Sequence, residues 1–146
     1  METNNKIKYH SYKAAYSRMN LAMDKGFYLE AITIQESIIS DRLLSFAVRS
    51  SQLVITKEKL HSITFSKLIK IAKVYFDNQK LVNDIENFRL KRNQCLHGFV
   101  KSFPGKPTIV VNDFMALLIQ TSKAGKKLTR EIDYWHKKMK RNNFKT

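Results

Sequence analysis

The strongest constraint on this chain is a run of side chains between residues 112 and 140. Phe114, Leu118, Thr121, Gly125, Leu128, Ile132, Trp135 and Met139 alternate four and three positions apart. That spacing returns to one side of a 3.6-residue turn, whereas a strand would need a period of two. It predicts a helix with Asn112 as N-cap, reaching about Lys140 and carrying a long packing seam. A seam of that length needs other helices to cover it. Gly125 lies within it, and a residue without a side chain lets a neighbouring backbone come close.

The rest of the chain supplies candidate partners. A first helix is expected from about Tyr9 to Asp24, with Tyr12, Tyr16, Met19 and Met23 on one face and Gly26 as its stop. A second runs from about Phe27 to Ser50. It is apolar nearly all round (Ile32, Ile34, Ile38, Ile39, Leu43, Leu44, Phe46, Val48), the mark of a central, buried helix. Residues 51–61 read as a connection. A third helix begins near Thr64 as N-cap, with Phe65, Leu68, Ile69, Ala72 and Tyr75 inward and Lys67, Lys70 and Lys73 on another face. A fourth runs from Asn78 to His97, stopped by Gly98.

Residues 99–111 hold both prolines, Pro104 and Pro107, and read as a loop in which only a short isolated strand at 108–111 is compatible. Residues Arg141 to Thr146 are polar and expected to fray. With four glycines and two prolines in 146 residues, the turns of an all-β fold are missing. The expected architecture is all-α, an antiparallel bundle of about five helices. It forms one domain over residues 1–146, with its core at about 9–140 and a basic tail at 141–146.

Charge narrows the function. The chain has 27 Lys and Arg against 12 Asp and Glu, a net charge of +15. This favours an anionic partner, nucleic acid before an acidic protein or an anionic membrane surface. No exposed apolar face accompanies the lysine-rich ones, which argues against a membrane. The first residues lack the apolar run of a signal peptide, and no stretch of about 20 apolar residues occurs. A soluble cytoplasmic protein is expected. Cys95 is the single cysteine, so no intramolecular disulfide forms, and it reads as packing rather than as a nucleophile. No Cys/His cluster has zinc-ligand spacing, and no metal or other cofactor is expected.

The chemistry concentrates on the fourth helix. Leu81, Ile85, Phe88, Arg92, Cys95 and Phe99 form one stripe, and Arg92 is its only charged member. An arginine on a packing face costs several kcal/mol unless it meets an anion or a wet cleft. A structural ion pair with Glu36 on the second helix answers that demand, as does a side chain that snorkels to solvent. His97 closes the same helix, where the terminal carbonyls favour a cation and an imidazole can move protons near neutral pH. A guanidinium suits the extra charge of a pentavalent phosphorane, and Asn93 can orient a phosphate oxygen. Residues five apart differ by about 140° around a helix. Arg92 and His97 of one chain therefore do not share a tight face, and a site built from two chains joins them more naturally.

The segment Arg92-Asn93-Gln94-Cys95-Leu96-His97-Gly98 resembles the R-x4-6-H motif of the HEPN ribonucleases, in its R-N-x-x-x-H-G form. Residues 28–37, followed by Asp41-Arg42-Leu43-Leu44, resemble that family's second helix, and Glu36 matches the acidic residue it commonly carries. The resemblance implies an all-α bundle and a homodimer with two motifs lining one cleft. It also implies a metal-independent endoribonuclease of the toxin or anti-phage defence type, with RNA as substrate and an antitoxin or regulatory protein as a possible partner. Arg92, His97 and Asn93 would be catalytic and Glu36 supporting. The alternative is an inactive relative that binds RNA or protein. Phe99 stands where some HEPN toxins have a modified tyrosine, so the resemblance does not extend to regulation at that position.

Other features carry less. Arg130 and His136 are six apart, but Glu131 follows the arginine and no glycine follows the histidine. The fifth helix and tail hold nine cations, among them Lys126, Lys127 and Arg130, which with Lys91 suit either a phosphate-backbone track or a solvated face. Trp135 and Phe114 fit the core better than base stacking.

Overall fold

The computed structural model describes residues 3–97, 104–105 and 110–144. Among them are five α-helices: α1 (Asn4–Asp24), α2 (Tyr28–Arg49), α3 (Phe65–Tyr75), α4 (Gln79–His97) and α5 (Val111–Arg141), with a 3-10 helix at Lys57–Ser62. No described helix is long and apolar enough to cross a membrane.

Local chemistry explains most of the boundaries. Thr64 Oγ1 accepts from the Lys67 amide at 3.1 Å, and Asn78 Oδ1 accepts from the Leu81 amide at 3.1 Å. Both satisfy amides that a helix start leaves without partners. Thr3 does the same for Lys6, so α1 begins earlier than its apolar face suggests. Gly26, at φ +80°, turns α1 back along α2. Tyr75 is exposed rather than inward. The chain leaves α3 at Phe76, whose extended backbone swings that ring in to stack on Trp135 at 3.8 Å.

Asn112 is not the cap of α5. Val110 is the extended residue before the helix, its carbonyl accepts from the Phe114 amide at 2.9 Å, and Asn112 lies inside the first turn. Residue 110 holds the N-cap and Val111 is helical, while 108–109 of the suggested strand, like Gly98 and Phe99, lie outside the described residues. The segment after Lys140 does not simply fray. Asn143 and Phe144 take positive φ, the Phe144 amide bonds to the Met139 carbonyl at 2.8 Å, and the Phe144 ring is buried. A left-handed C-terminal turn with an apolar contact produces this geometry.

α2 is central, packing against α1, α3, α4 and α5. Its interface with α5 is the most extensive, and every member of the α5 seam is buried. α1 lies antiparallel to α2, and α4 antiparallel to α5. The α2–α5 pair differs: Gln35 meets Ser122, Arg42 meets Asp133 and Ser45 meets His136, so these two helices run in the same direction. The 3-10 segment and α3 return the chain, which lets α4 run opposite to both.

The close approach sits at Gly125. A Cβ there would stand 1.9 Å from Gln35 Oε1 and 2.7 Å from Phe88 Cε2. Both neighbours are buried, and Gln35 is held by a 2.8 Å bond from its Nε2 to the Ser122 carbonyl. Alanine would improve helix propensity by about 1 kcal/mol, but overpacking of this kind costs about 1–3 kcal/mol, and here the Gln35 bond is disturbed as well. Gly125→Ala is expected to lower the thermal midpoint by roughly 5 °C. Adding Gln35→Ala should give a double variant less destabilised than the sum of the two single changes, measured by calorimetry.

Candidate functional site

Two polar centres flank α2, one toward α4 and one toward α1 and α5. The first contains the R-x4-H segment. Arg92 sits among Ile85, Phe88 and Cys95, which are buried. Its NH2 donates to Glu36 Oε1 at 2.6 Å and its NH1 to Asn93 Oδ1 at 2.7 Å. The guanidinium lies 6.0 Å from the Phe65 ring centre. Its Nε is buried without a hydrogen-bond partner among the described residues. The pair is partly screened from water, at 16% and 25% side-chain exposure. The anion required by the inward arginine is thus Glu36, the acid matched on α2.

His97 stands differently. α4 remains a regular helix through His97, which is exposed in its last turn. Hydrogen bonds bring Glu36 and Asn93 to Arg92, and among the described residues none joins His97 to them. Cys95 is buried, with Sγ 3.6 Å from Thr121 Oγ1, and burial raises its thiol pKa, as suits packing.

The second centre was not legible as a site in the sequence. It is a cleft of about 570 Å³ between the first half of α1, the second half of α2 and the end of α5. On its floor, Arg42 Nε donates to Asp133 Oδ1 at 2.7 Å, and the guanidinium lies 4.0 Å over the Tyr12 ring. Tyr16 donates its hydroxyl to Asp133, and Tyr12 donates to Asp41. Lys8 reaches Asp41 at 2.7 Å. Burial and these carboxylate partners push both tyrosine pKa values well up, so the hydroxyls remain donors. His136 bonds to Ser45 Oγ at 2.9 Å. Burial first, then Arg42 and Arg49, push its pKa down to about 4. It is a neutral buried group, unlike its exposed companion Arg130, so the Arg130/His136 pair does not form a site. One signal was available: Ser122, Gly125, Thr129, Ile132 and His136 form a second inward stripe made largely of small or polar residues.

The cations of α5 do not make a single track. Lys137 and Lys140 line the large cleft, whereas Lys127 faces a smaller groove against α4, together with Lys91 and Lys80. There Lys80 pairs with Asp84 at 2.8 Å and Lys127 with Glu131 at 3.8 Å, which cancels most of the charge. Arg130 is exposed over a neighbouring groove, and Lys126 is half-buried. Among the described residues, no three His, Cys, Asp or Glu side chains converge as a metal site.

The fold and these centres define an all-α bundle with a paired Arg–Glu centre and a basic cleft. No family model, no curated protein and no solved structure matches the chain. The likeness to the HEPN ribonucleases therefore rests on residues 92–98 and the pattern of α2.

Two measurements follow from this geometry. Glu36→Met alone leaves a half-buried guanidinium without its anion and is expected to cost about 1–3 kcal/mol in denaturant unfolding. Glu36→Met with Arg92→Met should recover most of that loss. The second measurement concerns pH. His136 has a folded pKa near 4 against an ordinary value of 6.5, so the unfolded chain takes up its proton first as pH falls. Its contribution to stability is present above pH 6.5 and is lost as pH falls toward 4. His136→Gln is expected to flatten that part of a stability-against-pH profile relative to wild type.

Proposed function

We propose that the chain is a metal-independent endoribonuclease acting as a homodimer, of the toxin or anti-phage defence type. One observation carries the reading. The lone cation of the inward α4 stripe is fixed by Glu36 and Asn93, and an exposed histidine ends the same helix. In the proposed reaction the RNA 2′-hydroxyl attacks the adjacent phosphorus and gives up its proton to a base. The 5′-oxygen leaves with a proton from an acid, and a cyclic phosphate remains. His97 moves the protons, Arg92 stabilises the phosphorane charge and Asn93 orients a phosphate oxygen. The α-helical angle of about 140° between Arg92 and His97 favours a site that pairs Arg92 with the partner subunit's His97. An antitoxin or other regulatory protein fits this reading as a further partner.

RNA incubated in EDTA is expected to be cut by wild type and spared, by a factor of about 100 or more, by His97→Ala. Arg92→Ala is expected to be equally inactive, with folding checked because Glu36 loses its partner. Mixing the two inactive variants should restore about a quarter of wild-type activity, since half of the re-formed dimers carry one intact composite site. Absence of restoration would place each site within one chain. A second reading has its own support: Arg92 is already engaged through NH1 and NH2, as a purely structural arginine would be. A non-catalytic RNA-binding module predicts RNA left intact by wild type and binding that survives His97→Ala.

A further inference from the structure

The α1/α2/α5 cleft has a different charge balance from the grooves between α4 and α5. Six cationic side chains line it, Lys8, Lys13, Arg42, Arg49, Lys137 and Lys140, against one lining carboxylate, Asp133. Asp133 is already held by Arg42 and Tyr16, and Lys8 is held by Asp41. Lys13, Lys137, Lys140 and Arg49 have no carboxylate partner among the described residues; Arg49 rests only on the Phe144 ring, at 5.3 Å. Four unpaired cations converging on one concavity repel one another unless water, salt or an anion intervenes.

The cleft also carries aromatic surface. Tyr12 and Tyr16 have their hydroxyls committed to Asp41 and Asp133, which fixes their rings in the wall. Tyr9 stands at the mouth, 63% exposed, with its ring edge-on to His10. Unpaired cations beside an exposed aromatic ring are the combination that holds single-stranded nucleic acid, phosphates on the cations and bases on the ring. The volume falls within the range of pockets that hold a small ligand.

We propose that this cleft binds a nucleotide unit of a single RNA strand, its phosphates on Lys13, Arg49, Lys137 and Lys140 and a base on Tyr9. The choice of RNA rests on the ribonuclease reading, but the site is separate from α4. Neither Arg92 nor His97 lines it. The cleft would position the strand, and any cleavage would occur elsewhere.

The test is titration of a fluorescent oligouridylate 12-mer with the His97→Ala variant of the 146-residue chain, so that binding is read without cleavage. Lys137→Glu with Lys140→Glu is expected to weaken binding about tenfold or more and to flatten the salt dependence. Lys67→Glu with Lys70→Glu makes the same charge change on exposed positions of α3 and should weaken binding by less than about threefold. Tyr9→Ala should weaken binding while leaving the salt slope in place. All variants are checked for helical content. Equal losses for the two lysine pairs would overturn the proposal, because binding would then follow net charge alone. So would preference for duplex RNA, equal affinity for polyglutamate, or binding of free ATP without the strand. Failure of wild type to cut RNA, with this binding pattern intact, would remove the enzyme reading and leave the cleft.

Discussion

The bundle depends on how closely α5 approaches α2. Gly125 is the contact point, and Gln35 occupies the space that a larger side chain would take. The buried Gln35 amide is tied to the Ser122 carbonyl, which fixes the axial register of the two helices. Two turns further along, the same register brings Arg42 to Asp133, and then Ser45 to His136. Each of these pairs needs the two helices held within side-chain reach of one another. A wider spacing would leave buried groups without partners, at a cost greater than the bonds themselves contribute.

α2 distributes its polar side chains among its neighbours. Glu36 goes to α4, Gln35 to α5, Asp41 to α1 and Arg42 to α5. Its apolar residues, Ile32, Ile39, Leu43 and Phe46, fill the common core between them. A helix of this kind sorts its surroundings. The aliphatic positions supply the non-directional attraction, and the few polar ones decide which helix packs on which side. The two polar centres are consequently on different flanks of one helix, with the core between.

Much of this was legible from spacing. The α5 seam, the central character of α2, the Thr64 cap and the close approach at Gly125 follow from period and side-chain size, which are local properties. Arg92 was also legible, because a cation in an apolar stripe demands an anion nearby, and Glu36 was within the candidate set. The cleft was not. Asp41, Arg42 and Asp133 look like ordinary surface charges until the register of α1, α2 and α5 brings them together across as many as 117 residues of chain, as between Tyr16 and Asp133. The same holds for the parallel direction of α2 and α5, which depends on what the short α3 segment does rather than on either helix. The turn at Phe144 was hidden because a single aromatic in a polar tail carries no period to read.

The parallel pair has an electrical consequence. In antiparallel neighbours the backbone dipoles oppose and largely cancel, whereas those of α2 and α5 add. One end of the pair collects partial positive charge, and there Glu30 and Asp113 occupy the first turns. The other end collects the negative ends of both dipoles, and there Arg49, Lys138, Lys140 and Arg141 occupy the last turns. Part of this chain's surplus of positive charge is thus placed where it offsets the dipoles of its own backbone.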